Sequence, residues 1–239
     1  MFYVKRAHEH FHSQNEWLSS YWHFSFDHYH DPRNMNWGAL RVFNDDVIQP
    51  ASGFPMHSHR DMEIVTYVLD GKLAHEDSLG NKGIIHAGEV QVMSAGTEII
   101  HSEHNASKKK ELHLVQMWVI PRIRGLPPSW GQKKFSEKNR VNKLLCAVSN
   151  GSVQGSLEIN QDAYFFISSL KAKKSVSHAV QKKRKLFLFI IKGKVSVQGN
   201  SGQLEVLEKQ DTARGENESE VTFTALEDCE FFLWDCMDA

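Results

Sequence analysis

Two pairs of potential metal ligands stand out in the first half of the sequence. His57 and His59 lie within HSHRDMEIVTYVLDG, and His101 and Glu103 lie within GEVQVMSAGTEIIHSEHN. In an extended strand, side chains two residues apart project from the same face. Each pair can therefore offer two ligand atoms to one ion, although a single pair could equally face water. A metal site requires both pairs to lie on neighbouring strands.

If the two strands lie side by side, three imidazoles and one carboxylate converge. Such a set suits a first-row transition ion, because imidazole binds iron, nickel, copper and zinc well. Four protein ligands leave positions open in an octahedral shell for O2 or a chelating substrate. A structural zinc site is more often closed, tetrahedral and built with thiolates. We expect one divalent transition metal, with Fe(II) as first choice and Ni, Cu, Co, Mn or Zn as alternatives.

Short β-rich runs separated by turn signals must position these ligands. Closely spaced strands with glycine turns predict a sandwich or barrel rather than βαβ units. The run LFLFIIKGKVSVQG at 186–199 mirrors EIVTYVLDGKLAHED at 63–77: an apolar strand, a glycine turn and a second strand. This similarity indicates a weak internal duplication. The second copy lacks the HxH spacing.

The segment PRIRGLPPSWGQ, residues 121–132, holds three of the six prolines and indicates a surface linker. We therefore expect a metal-binding domain at 1–120, a linker at 121–135 and a second domain without metal at 136–239. Thirteen of the fourteen histidines lie at or before His113. Histidine-based chemistry consequently belongs to the first domain.

The overall composition excludes several classes of protein. The chain has 239 residues, 41% hydrophobic and 24% charged, which is typical of a globular protein. A net charge of −1 gives no global field toward nucleic acid or membrane, so we expect neither partner. Three cysteines and an N-terminus without an apolar signal segment predict a cytoplasmic location.

Ordered motifs along nearly the whole chain resemble the pirin family of cupins. The resemblance is especially close to bacterial pirin-like proteins described as quercetin 2,3-dioxygenases. It implies an all-β bicupin, two antiparallel β-barrel (jelly-roll) domains in one chain, with metal only in the first. Besides the two ligand segments, the motifs are HFSFDHYHDP at 23–32, GALRVFNDD at 38–46, HEDSLGN at 75–81, GLPPSWGQKKF at 125–135 and INQDAYFF at 159–166.

The resemblance also implies the roles of individual residues. His57, His59, His101 and Glu103 match the family's metal ligands, and all four are present. Glu63 stands where many other cupins ligate metal, so we expect it beside the ligands, orienting an imidazole. The implied reaction is cleavage of quercetin-like flavonols, small aromatic chelating substrates, with O2 and release of carbon monoxide. Glu103 or Glu63 would be the general base.

A second hypothesis is a non-enzymatic iron-binding regulatory or redox-stress protein that acts through a protein partner, since some pirins resemble this more than an enzyme. Carbon monoxide release from quercetin would favour the enzyme. Oxidation-dependent partner binding without turnover would favour the regulator.

One position departs from the family, which usually has glycine where this chain has Glu98. Glycine there could serve a left-handed backbone or leave room in the pocket. A glutamate pointing inward would add charge near the metal and disfavour an anionic flavonolate. We favour a solvent-facing position for Glu98, because a buried unpaired carboxylate is costly.

Overall fold

The computed structural model describes residues 1–238, which form β-strands almost throughout. Two short 3-10 helices, Ala7–Glu9 and Glu137–Asn139, interrupt the strands. The strands up to residue 134 are β1 (Phe2–Lys5), β2 (Phe11–Gln14), β3 (Leu18–Trp22), β4 (Leu40–Ile48), β5 (Gly53–His59), β6 (Glu63–Asp70), β7 (Lys72–Asp77), β8 (Lys82–His86), β9 (Glu89–Ser94), β10 (Ile99–Asn105), β11 (Leu112–Val119) and β12 (Ser129–Lys134).

Ten further strands make up the rest of the described chain. They are β13 (Leu144–Ser149), β14 (Leu157–Glu158), β15 (Ala163–Leu170), β16 (Ser175–Ala179), β17 (Arg184–Lys192), β18 (Val195–Gly199), β19 (Leu204–Leu207), β20 (Thr212–Glu216), β21 (Glu220–Ala225) and β22 (Cys229–Met237).

Each half combines a seven-stranded sheet with a four-stranded sheet. The first half has the orders β12-β9-β6-β11-β4-β3-β2 and β5-β10-β7-β8. The second half has β1-β20-β17-β22-β15-β13-β14 and β16-β21-β18-β19. All these strand pairs are antiparallel except β13 with β14. The repeated plan confirms the predicted all-β, two-domain cupin fold.

The glycine turns that suggested duplication have the same structural role in both halves. Gly71 follows β6 and Gly193 follows β17, with φ of 86° and 77°. A side chain is strained in this left-handed region. A Cβ atom at Gly193 would also lie 2.2 Å from the carbonyl oxygen of Asp228. Glycine therefore allows each long central strand to turn directly into the four-stranded sheet.

Two details differ from the expected domain boundaries. β1 pairs with β20, so the first residues of the chain complete the sheet of the second half. β12 pairs with β9, so residues 129–134 of the expected linker are a strand of the first half. In both cases the added strand covers a sheet edge whose backbone groups would otherwise lack partners.

The main hydrophobic core lies between the two seven-stranded sheets. It joins Val65 and Met117 of the first half to Phe187, Phe189 and other side chains of the second. Alternate residues of β17, including Leu188, face the second half's own core instead. These central strands are thus buried on both faces, which explains their continuous apolar sequences. Within residues 1–238, no helix is long and apolar enough to cross a membrane.

Candidate metal centre

Three of the predicted ligands meet where β5 pairs with β10. His101 lies directly opposite His57 in this antiparallel pair. The ring centroids of His101 are 4.4 Å from His57 and 5.0 Å from His59. One ring nitrogen from each of the three imidazoles lies within 4.8 Å of the other two. The structure therefore brings the three histidines together as the sequence predicted.

The fourth predicted ligand, Glu103, lies next to this cluster. β10 alternates, so that His101 and Glu103 are both buried while Ser102 between them points the other way. A carboxylate oxygen of Glu103 groups within 4.8 Å of His101 and His75, not with His57 and His59. His101 is thus shared by two overlapping groups of potential ligands.

Hydrogen bonds fix which ring nitrogen is free in His57 and in His101. His57 Nδ1 lies 2.8 Å from the carbonyl oxygen of Pro55. Since a carbonyl only accepts, Nδ1 carries the proton and Nε2 keeps its lone pair. This is the arrangement that metal-binding histidines usually show.

A second chain of contacts does the same for His101. His75 Nε2 donates to Asp77 Oδ2 at 3.1 Å, which leaves His75 Nδ1 as an acceptor. That atom faces His101 Nδ1 at 3.5 Å. The proton of His101 then lies on Nδ1, and its buried Nε2 finds no hydrogen-bond partner among residues 1–238. An orphaned lone pair in a cluster of imidazoles fits a bound cation.

Burial keeps the imidazoles of His59 and His101 neutral. Burial, together with repulsion from His101 and His57, lowers the pKa of His59 to about 4. Burial likewise lowers the pKa of His101 to about 3, with added repulsion from His57 and His75. Both rings therefore present lone pairs rather than charge at neutral pH. The donor set, nitrogen with one carboxylate, suits a divalent transition metal.

The structure does not bring Glu63 to the cluster. Its neighbour Ile64 packs with side chains around the metal centre, so Glu63 and Val65 face the second half. The Glu63 carboxylate accepts a hydrogen bond from the Ser94 hydroxyl at 2.5 Å and lines a cavity of about 420 Å³ at the domain junction. Burial raises its pKa, while Ser94 and the Asn160 backbone oppose that shift. Glu63 cannot orient a ligand imidazole from the opposite face of the sheet.

Glu98 is exposed to solvent. Its φ is not among the positive values of the described residues, whereas Gly96 nearby has a φ of 50°. The chain therefore has no need for glycine at position 98. The solvent-facing position favoured above is the one that the structure has.

Sequence reasoning missed three residues that contact the predicted ligands. His75 faces His101, and Gln91 and Gln116 donate hydrogen bonds to Glu103. The HEDSLGN motif at 75–81 contains His75 but does not indicate that its ring faces His101. The glutamines carried a weaker signal, a polar residue within an otherwise apolar strand.

Two cupin halves with one candidate metal centre among residues 1–238 define the class, a bicupin. Residues 4–119 match the Pirin family and residues 146–236 match the Quercetinase C-terminal cupin domain. The chain belongs to the pirin family. A Pirin-like protein of Caulobacter vibrioides is 45% identical over 92% of each chain. The Quercetin 2,3-dioxygenase of Escherichia coli K12 is 41% identical over 83% of this chain and 85% of that protein.

Solved structures agree with this assignment. The crystal structure of YhhW from Escherichia coli is 37% identical and superimposes with a TM-score of 0.93, covering 100% of this chain and 99% of that one. A second structure of the same bacterial pirin, in complex with nickel(II), has a TM-score of 0.92 at 37% identity and covers 100% of both chains.

Proposed function

We propose that this protein is a metal-dependent dioxygenase that cleaves quercetin-like flavonols with O2. The observation that carries the proposal is the cluster of three imidazoles with the unpaired, buried Nε2 of His101. Relatives that bear the name quercetin 2,3-dioxygenase support it. We further propose that His57, His59, His101 and Glu103 hold one ion, with Fe(II) as first choice. The nickel(II) complex of YhhW supports a transition-metal site, and nitrogen and carboxylate ligands accept several such metals.

The surroundings of the cluster suit an aromatic substrate that approaches from solvent. His57 and His59 are only partly buried, unlike the buried His101 and Glu103, so the cluster is accessible on the β5 side. The Trp118 ring lies edge-on to His59 with centroids 4.9 Å apart, and Phe26 follows 5.4 Å from Trp118. These rings offer a flat flavonol edge-to-face contacts beside the metal centre.

Glu103 is the carboxylate that we assign as proton acceptor. It lies at the cluster, whereas Glu63 lies on the other face of the sheet. A carboxylate has about four lone-pair sites, so Glu103 can accept a substrate proton besides its existing hydrogen bonds. The bound metal would supply Lewis-acid and oxygen chemistry. The chain's own part is to orient the flavonol, take up its hydroxyl proton and limit access of water.

The test uses the full chain, stripped of metal and reloaded separately with Fe(II), Ni(II), Cu(II), Co(II), Mn(II) and Zn(II). With quercetin and O2, we expect O2 uptake and carbon monoxide release in equal amounts for at least one metal. The double variant His57→Ala/His101→Ala is the control and should release none. Full metal occupancy without O2 uptake from quercetin or other chelating phenols would reject the enzyme. A screen for oxidation-dependent binding of a protein partner would then test the regulatory alternative.

A further inference from the structure

Two amide side chains hold the Glu103 carboxylate, one on each oxygen. Gln91 Nε2 donates to Oε1 at 3.1 Å, and Gln116 Nε2 donates to Oε2 at 2.6 Å. Glu103 and Gln91 are both buried. The carboxylate plane is therefore fixed from two sides, away from solvent.

Two indoles determine the direction of these amides. Trp130 Nε1 donates to Gln91 Oε1 at 2.9 Å, and Trp118 Nε1 donates to Gln116 Oε1 at 3.0 Å. An indole N–H can only donate, so the oxygen of each amide must face the indole and its NH2 group must face Glu103. Orientation of an amide is usually ambiguous. Here the two indole N–H groups determine the orientation of both amides, because each can only donate a hydrogen bond.

The register of the sheet explains why two glutamine side chains reach the same carboxylate. Gln91, Thr66 and Gln116 lie directly opposite one another on β9, β6 and β11. Neighbouring strands are about 4.8 Å apart, so the two glutamines stand roughly 10 Å apart on one face of the sheet. Thr66 between them is short and leaves room. Both glutamine side chains can therefore reach the carboxylate of Glu103, which lies on the facing four-stranded sheet.

The tryptophans also contact the histidine side of the centre. Trp130 stacks on His75 with centroids 5.2 Å apart and planes 11° apart. Trp118 contacts His59 edge-on at 4.9 Å. Each indole thus packs against one imidazole with its ring and sets one amide with its N–H group. Replacing only the N–H group separates these two roles.

We propose that Gln91 and Gln116 are positioning residues that set the Glu103 carboxylate for the metal, and that Trp130 and Trp118 fix the direction of both amides. We name these four residues the carboxylate clamp. The clamp rests on the proposed metal binding and is independent of flavonol cleavage. Its consequence is that Glu103 faces the ion in one orientation before the ion arrives, which removes an ordering cost from binding.

The first test replaces each glutamine by methionine, which is similar in length but cannot donate to a carboxylate. Gln91→Met and Gln116→Met should each weaken Ni(II) binding, measured by calorimetry, about 10- to 100-fold. The visible absorption spectrum of the Co(II)-loaded variants should also change, because a freed carboxylate alters the coordination geometry. A role in packing alone would leave that spectrum unchanged in the folded protein.

Gln132→Met is the matched control. Gln132 lies opposite Gln91 on β12, one strand further from Glu103, and donates to the Ile84 carbonyl oxygen at 3.4 Å. Its loss should change neither Ni(II) affinity nor the Co(II) spectrum. Trp118→Phe and Trp130→Phe keep an aromatic ring but remove the N–H group. They should weaken Ni(II) binding less than the glutamine variants do, by about tenfold or less. If a glutamine variant fails to fold, the tryptophan variants test the clamp in its place.

Equal Ni(II) affinities and identical Co(II) spectra in the wild type and all clamp variants would overturn the clamp alone. Weakened binding in the clamp variants, with no dioxygenase turnover in the wild type, would support the clamp and reject the proposed function. A wild-type protein that binds neither ion would overturn both.

Discussion

In the first half, the side chains of His101 and Glu103 on β10 point into the interior. In the second half, β21 occupies the corresponding place, and its side chains Val221 and Phe223 point into the interior. Each strand is second in a four-stranded sheet of the same order, and all four side chains are buried. Glu103 lies opposite His75 on β7, whereas Phe223 lies opposite Val197 on β18. The same order of strands therefore encloses a polar cluster in the first half and a hydrophobic core in the second.

This difference separates what the fold needs from what the site needs. The second half shows that the sheets close over an apolar interior without any cluster of ligands. Burying imidazoles and a carboxylate costs free energy unless their polar atoms are satisfied. The first half meets that requirement at Nδ1 of His57, Nδ1 of His101 and both carboxylate oxygens of Glu103, and it leaves Nε2 of His101 without a partner among residues 1–238. Its polar interior is therefore not a requirement of the fold.

The second half also shows how a lone histidine is used when no cluster surrounds it. His178 Nε2 lies 2.7 Å from Asp235 Oδ2, and Arg184 Nε donates to the other oxygen of that carboxylate. This network binds the imidazole to a structural ion pair. Among residues 1–238, the groups of three or more possible ligands lie only in the first half.

The largest effect should come from removing metal ligands in the first half. His57→Ala/His101→Ala should lower metal content from about one ion per chain to nearly none, because two lone pairs are lost. His178→Ala, the matched variant in the second half, should leave metal content unchanged. Elemental analysis of purified protein measures both. Equal metal content in the two variants would contradict the assignment of the centre to the first half.

The reverse exchange tests the apolar interior. Phe223→Glu places a carboxylate in the second half at the position that corresponds to the clamped Glu103, but without glutamines to bind it. We expect a loss of about 3–5 kcal/mol in the free energy of unfolding, as for an uncompensated buried charge. Phe223→Leu should cost about 1.5 kcal/mol or less. Urea unfolding followed by tryptophan fluorescence compares them; equal midpoints would show that this interior tolerates charge.

The sequence was sufficient for the fold and for the three histidines, because strand pairs with i, i+2 spacing need only be neighbours. It was not sufficient for Glu63. Strand β6 (EIVTYVLD) has no alternation of apolar and polar residues, since Glu63 to Val68 are buried on both faces, so the pattern does not tell which alternate residues face the metal centre. A shift of one residue exchanges the faces on which Glu63 and Ile64 lie. The structure places Ile64 on the face toward the metal centre.

The carboxylate clamp was beyond sequence reasoning for a related reason. Gln91 and Gln116 are 25 positions apart, and they meet only through the register of three strands. Trp118 lies two residues from Gln116 on β11, but Trp130 lies on β12, a further strand. Local patterns of composition contain no information about that register.

A buried carboxylate in the first half predicts a pH dependence that the second half should not share. Burial raises the pKa of Asp46 to about 7, with repulsion from Asp45 and Glu103, although the Ser20 hydroxyl opposes the shift. The unfolded value is about 3.9. Between these values the folded state binds more protons, so this group lowers stability as pH rises from about 4 to about 7.

Asp46→Asn removes that titration and keeps an acceptor for Ser20. In metal-free protein, the difference in unfolding free energy between Asp46→Asn and the wild type should grow by about 2–4 kcal/mol from pH 4 to pH 7. Urea unfolding at several pH values measures it. A difference that stays constant across this range would show that Asp46 titrates alike in both states.

The smallest effect concerns Glu98, the departure from the family pattern next to the metal centre. Its side chain is exposed, so water and salt screen its charge from the cluster. Its backbone does not have a positive φ, so glycine would relieve no strain. Glu98→Gly should therefore leave Ni(II) affinity and quercetin turnover at equal metal occupancy within about twofold of the wild type, since an exposed charge contributes little. The unfolding free energy should fall by about 0.5–1 kcal/mol, because glycine loses more backbone freedom on folding. Higher turnover in the variant would mean that Glu98 reaches the substrate despite its exposed position.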